Sequence, residues 1–552
     1  MKRMFSLLAI PLLTVAYASK PPDLVWDEYF DPGPRADEAR GIAISGDGYI
    51  YVAGYHDNGT DKDWCIVKYN SRGSREWVKL YDSHKGDDFA DGVAIGPDGY
   101  VYVCGGDSAH YLVVRYATSG EVRGKWEIPN PPGPDYARDI VIDDQGNIYV
   151  TGSDYNGVTM QCLTAKLTPT GDILWKKTYN TSKNEDGWGI AMDKSGYLYI
   201  TGNSGERCFI IKYDQRGREQ WTKLYSQHDE DYAYDVACDD AGNVYVAGVA
   251  YTEKTKDYDF LLVKYNSNGD KLWDKTYNFS QEDKALGITV NKAGYIYVAG
   301  CSKDKNRYNF RIGKYNPDGE LLWTKLYNSG DDDIAWDISV DPEGGYIYVT
   351  GLTKLWPNSE FRTLKYRQYL SISGHIRDEG GAGVEGVKVE LKGPISDLYT
   401  TASDGYYEFN NLPCDENYTI TPSKVEAGAI WSFSPEKLFY TPLGSDEKDQ
   451  DFTAKKTGIG EKGTIGYKFL LKPITPNPIA GRMVIEYEIP KRLPVQLTVY
   501  ASTGIPLKIL DKGEREAGRY RVVWDGRIPS GVYFLRLQAG RETTVEKLII
   551  MR

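Results

Sequence analysis

Histidine is the side chain whose proton chemistry is most readily used near neutral pH, and this 552-residue sequence has five: His56, His84, His110, His228 and His375. They form no His-Glu-x-x-His pair or other metal-ligand spacing. His84 and His228 each follow a tryptophan, Trp77 and Trp221, by seven residues, which reads as equivalent surface loops too far apart to cooperate. Carboxylates are the second possibility. Asp229-Glu230-Asp231 and Asp331-Asp332-Asp333 offer oxygens suited to calcium, but without the spacing of an EF loop, so solvated loops are the simpler expectation. Tyr155, Tyr251, Tyr308 and Trp356 could stack on sugar rings if exposed. No catalytic residue and no cofactor-binding residue is assigned, and calcium is the one metal left open.

The seven cysteines are odd in number and include no Cys-x-x-Cys. They occupy apolar slots of a repeat: Cys65 matches Leu261, Cys162 and Cys208 match Trp64 and Phe260, Cys104 matches Ala53, and Cys238 matches Ile44. Buried free thiols are expected.

Those slots exist because the sequence repeats. Gly48–Gly54 (GYIYVAG) recurs at Gly99–Gly105, Gly146–Gly152, Gly196–Gly202, Gly242–Gly248, Gly294–Gly300 and Gly345–Gly351. The closing glycines lie 51, 47, 50, 46, 52 and 51 residues apart, a period that suits one four-stranded β-propeller blade per copy. In the first copy the strands read Arg40–Ser45, Tyr49–Ala53, Trp64–Tyr69 and Glu76–Tyr81, with glycines in the turns where hairpins need positive φ.

Fourth-strand tryptophans follow six copies, at Trp77, Trp126, Trp175, Trp221, Trp273 and Trp323. The seventh lies ahead of the first copy, at Trp26, so residues 24–30 are expected to complete the last blade and cover its edge. Two charged positions recur in every copy. An acid stands at Asp37, Asp88, Asp135, Glu185, Asp231, Asp283 and Asp333, and a base at Lys68, Arg115, Lys166, Lys212, Lys264, Lys314 and Lys365. Because a ligand site breaks symmetry where a structural device repeats, an internal ion-pair and hydrogen-bond role is expected of both.

Residues 35–366 resemble secreted bacterial β-propellers of the SBBP type, whose blades read Asp-x-Ala-x-x-Ile, Gly-x-Ile-Tyr-Val-x-Gly, a Lys-Tyr strand and a Trp strand. The resemblance implies the architecture and says little of function, since propellers host lyases, hydrolases, adhesins and scaffolds. After Tyr369 the grammar changes. Ser373-Gly374-His375-Ile376, Gly383–Leu391, Thr401–Phe409, Tyr418–Pro422, Phe433-Ser434-Pro435 and Asp451-Phe452 resemble a carboxypeptidase-regulatory-like (transthyretin-like) domain, a spacer or adhesive unit. Pro476-Asn477-Pro478, Val495–Ala501, Gly518–Asp525, Gly531–Leu537 and Lys547–Arg552 resemble the C-terminal sorting domain of the type IX secretion system. A related immunoglobulin-like fold also serves as a plain surface module.

The fold expected is therefore all-β: a seven-bladed β-propeller over residues 19–368, a β-sandwich over 369–454, a linker at 455–465 and a second, immunoglobulin-like sandwich over 466–552. Residues 1–18, with Lys2, Arg3, an apolar stretch Met4–Val15 and Ala16-Tyr17-Ala18, read as a signal peptide. The 58 Gly, 45 Tyr and 13 Trp fit short strands and turns. A net charge of −12 without a basic run argues against nucleic acid as a partner. No later segment is apolar for long enough to cross a membrane as a helix. The reading that results is an extracellular or surface protein whose propeller binds a glycan or protein, or acts as a scaffold, and whose C-terminal module engages secretion machinery. The alternative is a secreted polysaccharide or peptide hydrolase or lyase with its site at the channel mouth.

Overall fold

The computed structural model of the chain describes residues 20–31, 35–107, 110–129, 133, 135–252, 256–341, 344–354, 358–426, 429–441, 443–444, 446–458, 468–472, 483–524 and 528–550. The signal-peptide residues, Trp356, Pro476-Asn477-Pro478, Asp525, Met551-Arg552 and most of the expected linker lie outside them. Every regular element among the described residues is a β-strand.

The repeat forms seven four-stranded antiparallel sheets. The first contains Asp37–Ile44, Ile50–Asp57, Lys62–Tyr69 and Arg75–Tyr81 in sequence order. The seventh contains Asp333–Val340, Tyr346–Thr353 and Glu360–Arg367, with Asp23–Phe30 paired to the last of these as its fourth strand. The inner strand of each sheet lies against that of the next, and the seventh's lies against the first's. Middle strands such as Lys62–Tyr69 are almost wholly buried because apolar side chains leave both faces into neighbouring sheets. The outer Arg75–Tyr81 strand is half-exposed. Each apolar cluster spans two sheets. Tyr51, Trp64 and Ile66 of the first pack with Val103, Leu112 and Tyr116 of the second, and Phe30, Tyr348 and Phe361 of the seventh pack with Ile42, Val52 and Tyr69 of the first.

The two recurring charged positions act at different places rather than on each other. The bases latch one sheet to the next. Lys68 Nζ and Trp77 Nε1 both donate to the Thr118 carbonyl, each at 3.0 Å. Lys212 and Trp221 meet at Ser267 O (2.8 and 3.2 Å), and Lys264 and Trp273 at Pro317 O (2.9 and 3.2 Å). Lys365 and Trp26 join the seventh sheet to the first at Ser71 O, at 2.9 and 3.2 Å. In that turn Gly73 has φ +87°, and a Cβ there would lie 3.0 Å from the Trp26 ring, so glycine is required for both reasons.

The acids instead cap loops. Asp88 accepts from Ser83 N (2.7 Å), Asp231 from Gln227 N (2.7 Å) and Asp333 from Ser329 N (2.8 Å). The expectation of a hydrogen-bonding device describes these contacts, whereas pairing between the recurring acid and base does not occur in them. The strands place the two groups at opposite ends of the sheet.

The sixth sheet has no following turn to latch, because the chain continues from Glu360–Arg367 directly into Tyr369–Asp378. Its Lys314 meets Asp446 of the C-terminal region instead, at 3.3 Å, with both side chains at most 5% exposed. Asp446 also accepts from Ser371 N (2.7 Å) and Ser371 Oγ (2.9 Å).

Beyond residue 368 there are two apolar cores, one around Ile372, Val389, Tyr407 and Phe452 and one around Ile485, Leu497, Trp524 and Leu535. A single seven-stranded sheet runs across both, because Lys437–Tyr440 pairs in parallel with Gly518–Trp524. Strand Phe452–Gly458 also runs past residue 454, so strand pairing continues where the sequence suggested a linker.

Candidate functional site

Each inner strand carries a β-bulge at the same point: between Ala39 and Gly41, Ala90 and Gly92, Ala137 and Asp139, Gly187 and Gly189, Ala233 and Asp235, Ala285 and Gly287, and Ala335 and Asp337. A bulge leaves one residue unpaired and re-aims its side chain. Those residues are Arg40, Asp91, Arg138, Trp188, Tyr234, Leu286 and Trp336, and all seven line one cavity of about 110 Å³ where the inner strands converge. This position differs from sheet to sheet, while the residue before it is alanine in six of the seven.

The differences sort by side of the ring. Arg40, Asp91 and Arg138 form a polar arc from three successive sheets, and Trp188, Tyr234, Leu286 and Trp336 form an apolar arc. Arg138 Nη1 donates to Asp91 Oδ2 at 3.2 Å, while Arg40 pairs with Glu38 at 2.6 Å. The arcs meet through cation–π contacts. The Arg40 guanidinium lies 4.3 Å from the Trp336 ring and that of Arg138 lies 4.9 Å from Trp188. Trp188 meets Tyr234 edge-on, with ring centroids 5.5 Å apart. Among the described residues, Nε of Arg40, Nε of Arg138, Nε1 of Trp188 and Nε1 of Trp336 are buried donors with no acceptor. A buried N–H without a partner costs about 1–3 kcal/mol, so four around one cavity call for an acceptor-rich occupant.

The next residue of each strand alternates. Asp139, Asp235 and Asp337 stand in the third, fifth and seventh sheets and glycine in the others. Each aspartate reaches forward to an amide of the following sheet, at Ile190 N, Ile288 N and Ile42 N, all at 2.8 Å, and also accepts from its own successor at 2.7 Å. Glycine is needed between them. A Cβ on Gly189 would lie 2.9 Å from Asp235 Cα. An alternation over seven sheets must break once, and it breaks at Gly41 and Gly92, beside Arg40 and Asp91. Burial pushes all three carboxyls up, Asp139 to about 6 and Asp337 to about 7, and Asp235 well above the usual carboxylate range, with the charges of Asp139 and Asp337 adding to the burial.

The sequence-derived candidates lie elsewhere. All five histidines sit against an aspartate: His56 on Asp37 (2.6 Å), His84 on Asp82 (2.7 Å), His110 on Asp107 (3.3 Å), His228 on Asp231 (2.7 Å) and His375 on Asp451 (3.7 Å). His56 is buried rather than at the surface. In the acidic clusters, Glu230 accepts from the Tyr232 and Tyr258 hydroxyls (3.1 and 2.7 Å), Asp332 from Tyr308 N (2.8 Å), and Asp331 faces Arg307 (3.7 Å). Protein donors thus engage Glu230 and Asp332 directly. Tyr155, Tyr251 and Tyr308 are partly buried and apart from the cavity. The seven cysteines are free, six buried and Cys238 partly so. Sequence reasoning does not mark out the bulge ring, because along the inner strands the position two residues earlier (Glu38, Phe89, Tyr136, Asp186, Tyr232, Lys284, Ile334) varies as widely.

A sequence profile of the SBBP β-propeller repeat matches residues 131–153, which cover the inner strand of the third sheet and most of its neighbour. No curated protein matches the chain. Among solved structures, the chain is similar to a gluconolactonase of Xanthomonas campestris at 11% identity, over 63% of this chain and 98% of that one, with a TM-score of 0.33. It is also similar to a presumed gluconolactonase at 11% identity, over 63% of this chain and 94% of that one, with a TM-score of 0.34. From its repeat match and its succession of four-stranded sheets, this chain is a β-propeller repeat protein.

Proposed function

We propose that the protein is an exported, extracellular or surface-held binding protein whose seven-bladed propeller takes an acid-bearing sugar at the mouth of its channel. The observation that carries this reading is the group of four buried, acceptor-less N–H donors on Arg40, Arg138, Trp188 and Trp336. A guanidinium suits a planar carboxylate, and an indole offers a flat apolar face beside its N–H. The cavity is smaller than a typical drug-sized pocket, so the ligand enters by one end, such as the terminal uronic acid of an oligosaccharide.

In titration calorimetry, a uronic-acid-terminated oligosaccharide should bind and its neutral counterpart should bind at least about tenfold more weakly. Arg138→Ala and Trp188→Ala should each cost about tenfold or more, as loss of a hydrogen bond to a charged group does. Equal binding of acid and neutral sugars, or full affinity in both variants, would sink the reading.

The alternative, a secreted hydrolase or lyase, is favoured by one observation. Asp139, Asp235 and Asp337 line the same cavity, and raised carboxyls hold the protons a general acid needs. Release of shortened products from the same oligosaccharide, lost in Asp139→Asn, would replace binding by catalysis.

The two C-terminal cores act in this proposal as a spacer sandwich and a secretion-sorting sandwich. Fractionation of the host with mass spectrometry of both chain ends checks this. A surface or medium species starting near Ser19 and lacking the region after about Lys462 is expected, and an intact periplasmic species would refute the sorting role.

A further inference from the structure

One corner of the first sheet differs from its counterparts in the third and fifth sheets. In the fifth sheet Asp259, five residues before the recurring lysine, receives a hydrogen bond from Asn278 Nδ2 at 2.7 Å. In the third sheet Asn180 donates in the same way to Gln161, at 3.3 Å. The first sheet has Asp63 at the strand position and Asp82, not asparagine, at the donor position. Two carboxylates therefore face each other where the third and fifth sheets place an amide donor, and the recurring acid Asp88 makes a third; the seventh sheet has a like pair of acids, Glu360 and Asp31, but there Lys354 pairs with Glu360.

One oxygen from each of Asp63, Asp82 and Asp88 lies within 4.8 Å of the others. Asp63 is 7% exposed and Asp88 fully buried, and Oδ1 of each has no hydrogen-bond partner. Their Oδ2 atoms are held by Asn58 Nδ2 (3.0 Å) and Ser83 N (2.7 Å), which fixes both carboxylates in place. Most nearby cations are engaged elsewhere. Lys62 lies over the Tyr55 and Phe89 rings (4.6 and 4.7 Å), His56 pairs with Asp37 and Lys85 with Asp107 (2.9 Å), and only His84 meets Asp82.

We propose that Asp63, Asp82 and Asp88 bind a calcium ion that ties the first sheet to the second. Calcium takes oxygen ligands at about 2.3–2.6 Å in flexible geometry, whereas magnesium demands a near-ideal octahedron at about 2.0–2.1 Å, so carboxylates already fixed by other bonds suit calcium better. Asp63 and Asp82 belong to the first sheet and its following loop, and Asp88 leads into the inner strand of the second, so the ion would stiffen the joint between them.

The test is thermal unfolding of the full chain, stripped with EDTA and titrated with calcium or magnesium chloride. Calcium at a hundredfold excess over its Kd should raise the midpoint by a few degrees, with magnesium ineffective at equal concentration. Asp82→Asn supplies the amide of the fifth sheet. It should raise the metal-free midpoint and abolish the calcium response, and Asp63→Asn should abolish the response as well. If calcium leaves the wild type unchanged, or stabilises Asp82→Asn as much as the wild type, the assignment is wrong. Magnesium acting as well as calcium would also refute the choice of ion.

Discussion

Asp446→Ala should destabilise the protein by about 3–5 kcal/mol, the cost of stranding a buried charge by removing its partner. Lys314 and Asp446 are at most 5% exposed, and Lys314 is held protonated by Asp446 and by the Tyr295 and Tyr297 rings, 4.2 and 5.5 Å from its ammonium. Without Asp446 the ammonium has no turn carbonyl to replace it, because the seventh sheet takes its outer strand from the N-terminal region and lacks the turn that latches the others. Ser371 loses the acceptor for its amide and hydroxyl at the same step. Chemical denaturation followed by tryptophan fluorescence measures the loss, and amide exchange at Ser371 locates it. The pair Lys314→Met with Asp446→Leu should recover most of the stability, since a buried ion pair is often replaceable by apolar groups of similar volume. A single variant with wild-type stability would show that the contact does not hold the C-terminal region to the repeat.

Removing residues 20–31 should have a larger effect. It strips the outer strand from the seventh sheet and leaves Glu360–Arg367 as an unpaired edge, a template for aggregation. It also deletes Trp26 from its latch on Ser71, Phe30 from the core shared with the first sheet, and Asp27 from Arg362 (3.1 Å) and the Tyr327 hydroxyl (2.7 Å). Loss of two large aromatic side chains alone is worth on the order of 5 kcal/mol or more, comparable to the whole stability of an ordinary domain. The shortened chain should be aggregated on size-exclusion chromatography or unfold far below the wild type. Trp26→Ala, which keeps the strand, should fall between the two. An unchanged thermal midpoint on removal of residues 20–31 would refute the role of this strand.

The repeat was plain in the sequence because each sheet must solve the same packing problem. Two apolar strands buried on both faces, a tryptophan strand and a glycine turn recur wherever neighbouring sheets press together. The recurring Lys and Trp were equally visible, but their common acceptor was not. Ser71 O and Thr118 O belong to the backbone of the next repeat, where any residue type serves, so no sequence signal marks them. An ion-pair and hydrogen-bond role is expected of the recurring acids and bases alike, and strand direction, by putting the two groups at opposite ends of each sheet, decides that the acids meet loop amides and the bases turn carbonyls.

Local sequence thus determined the strand composition, the turns and the burial of the cysteines, all of which depend on side-chain type and spacing along the chain. Tertiary structure alone decided where chemistry can occur. The bulge turns Arg40, Asp91, Arg138, Trp188, Tyr234, Leu286 and Trp336 toward a common axis, and only ring closure brings residues almost 300 positions apart around one cavity. The corner of Asp63, Asp82 and Asp88 depends on the fold in the same way, since a missing hydrogen-bond donor becomes evident only when the neighbour it should have served is in place.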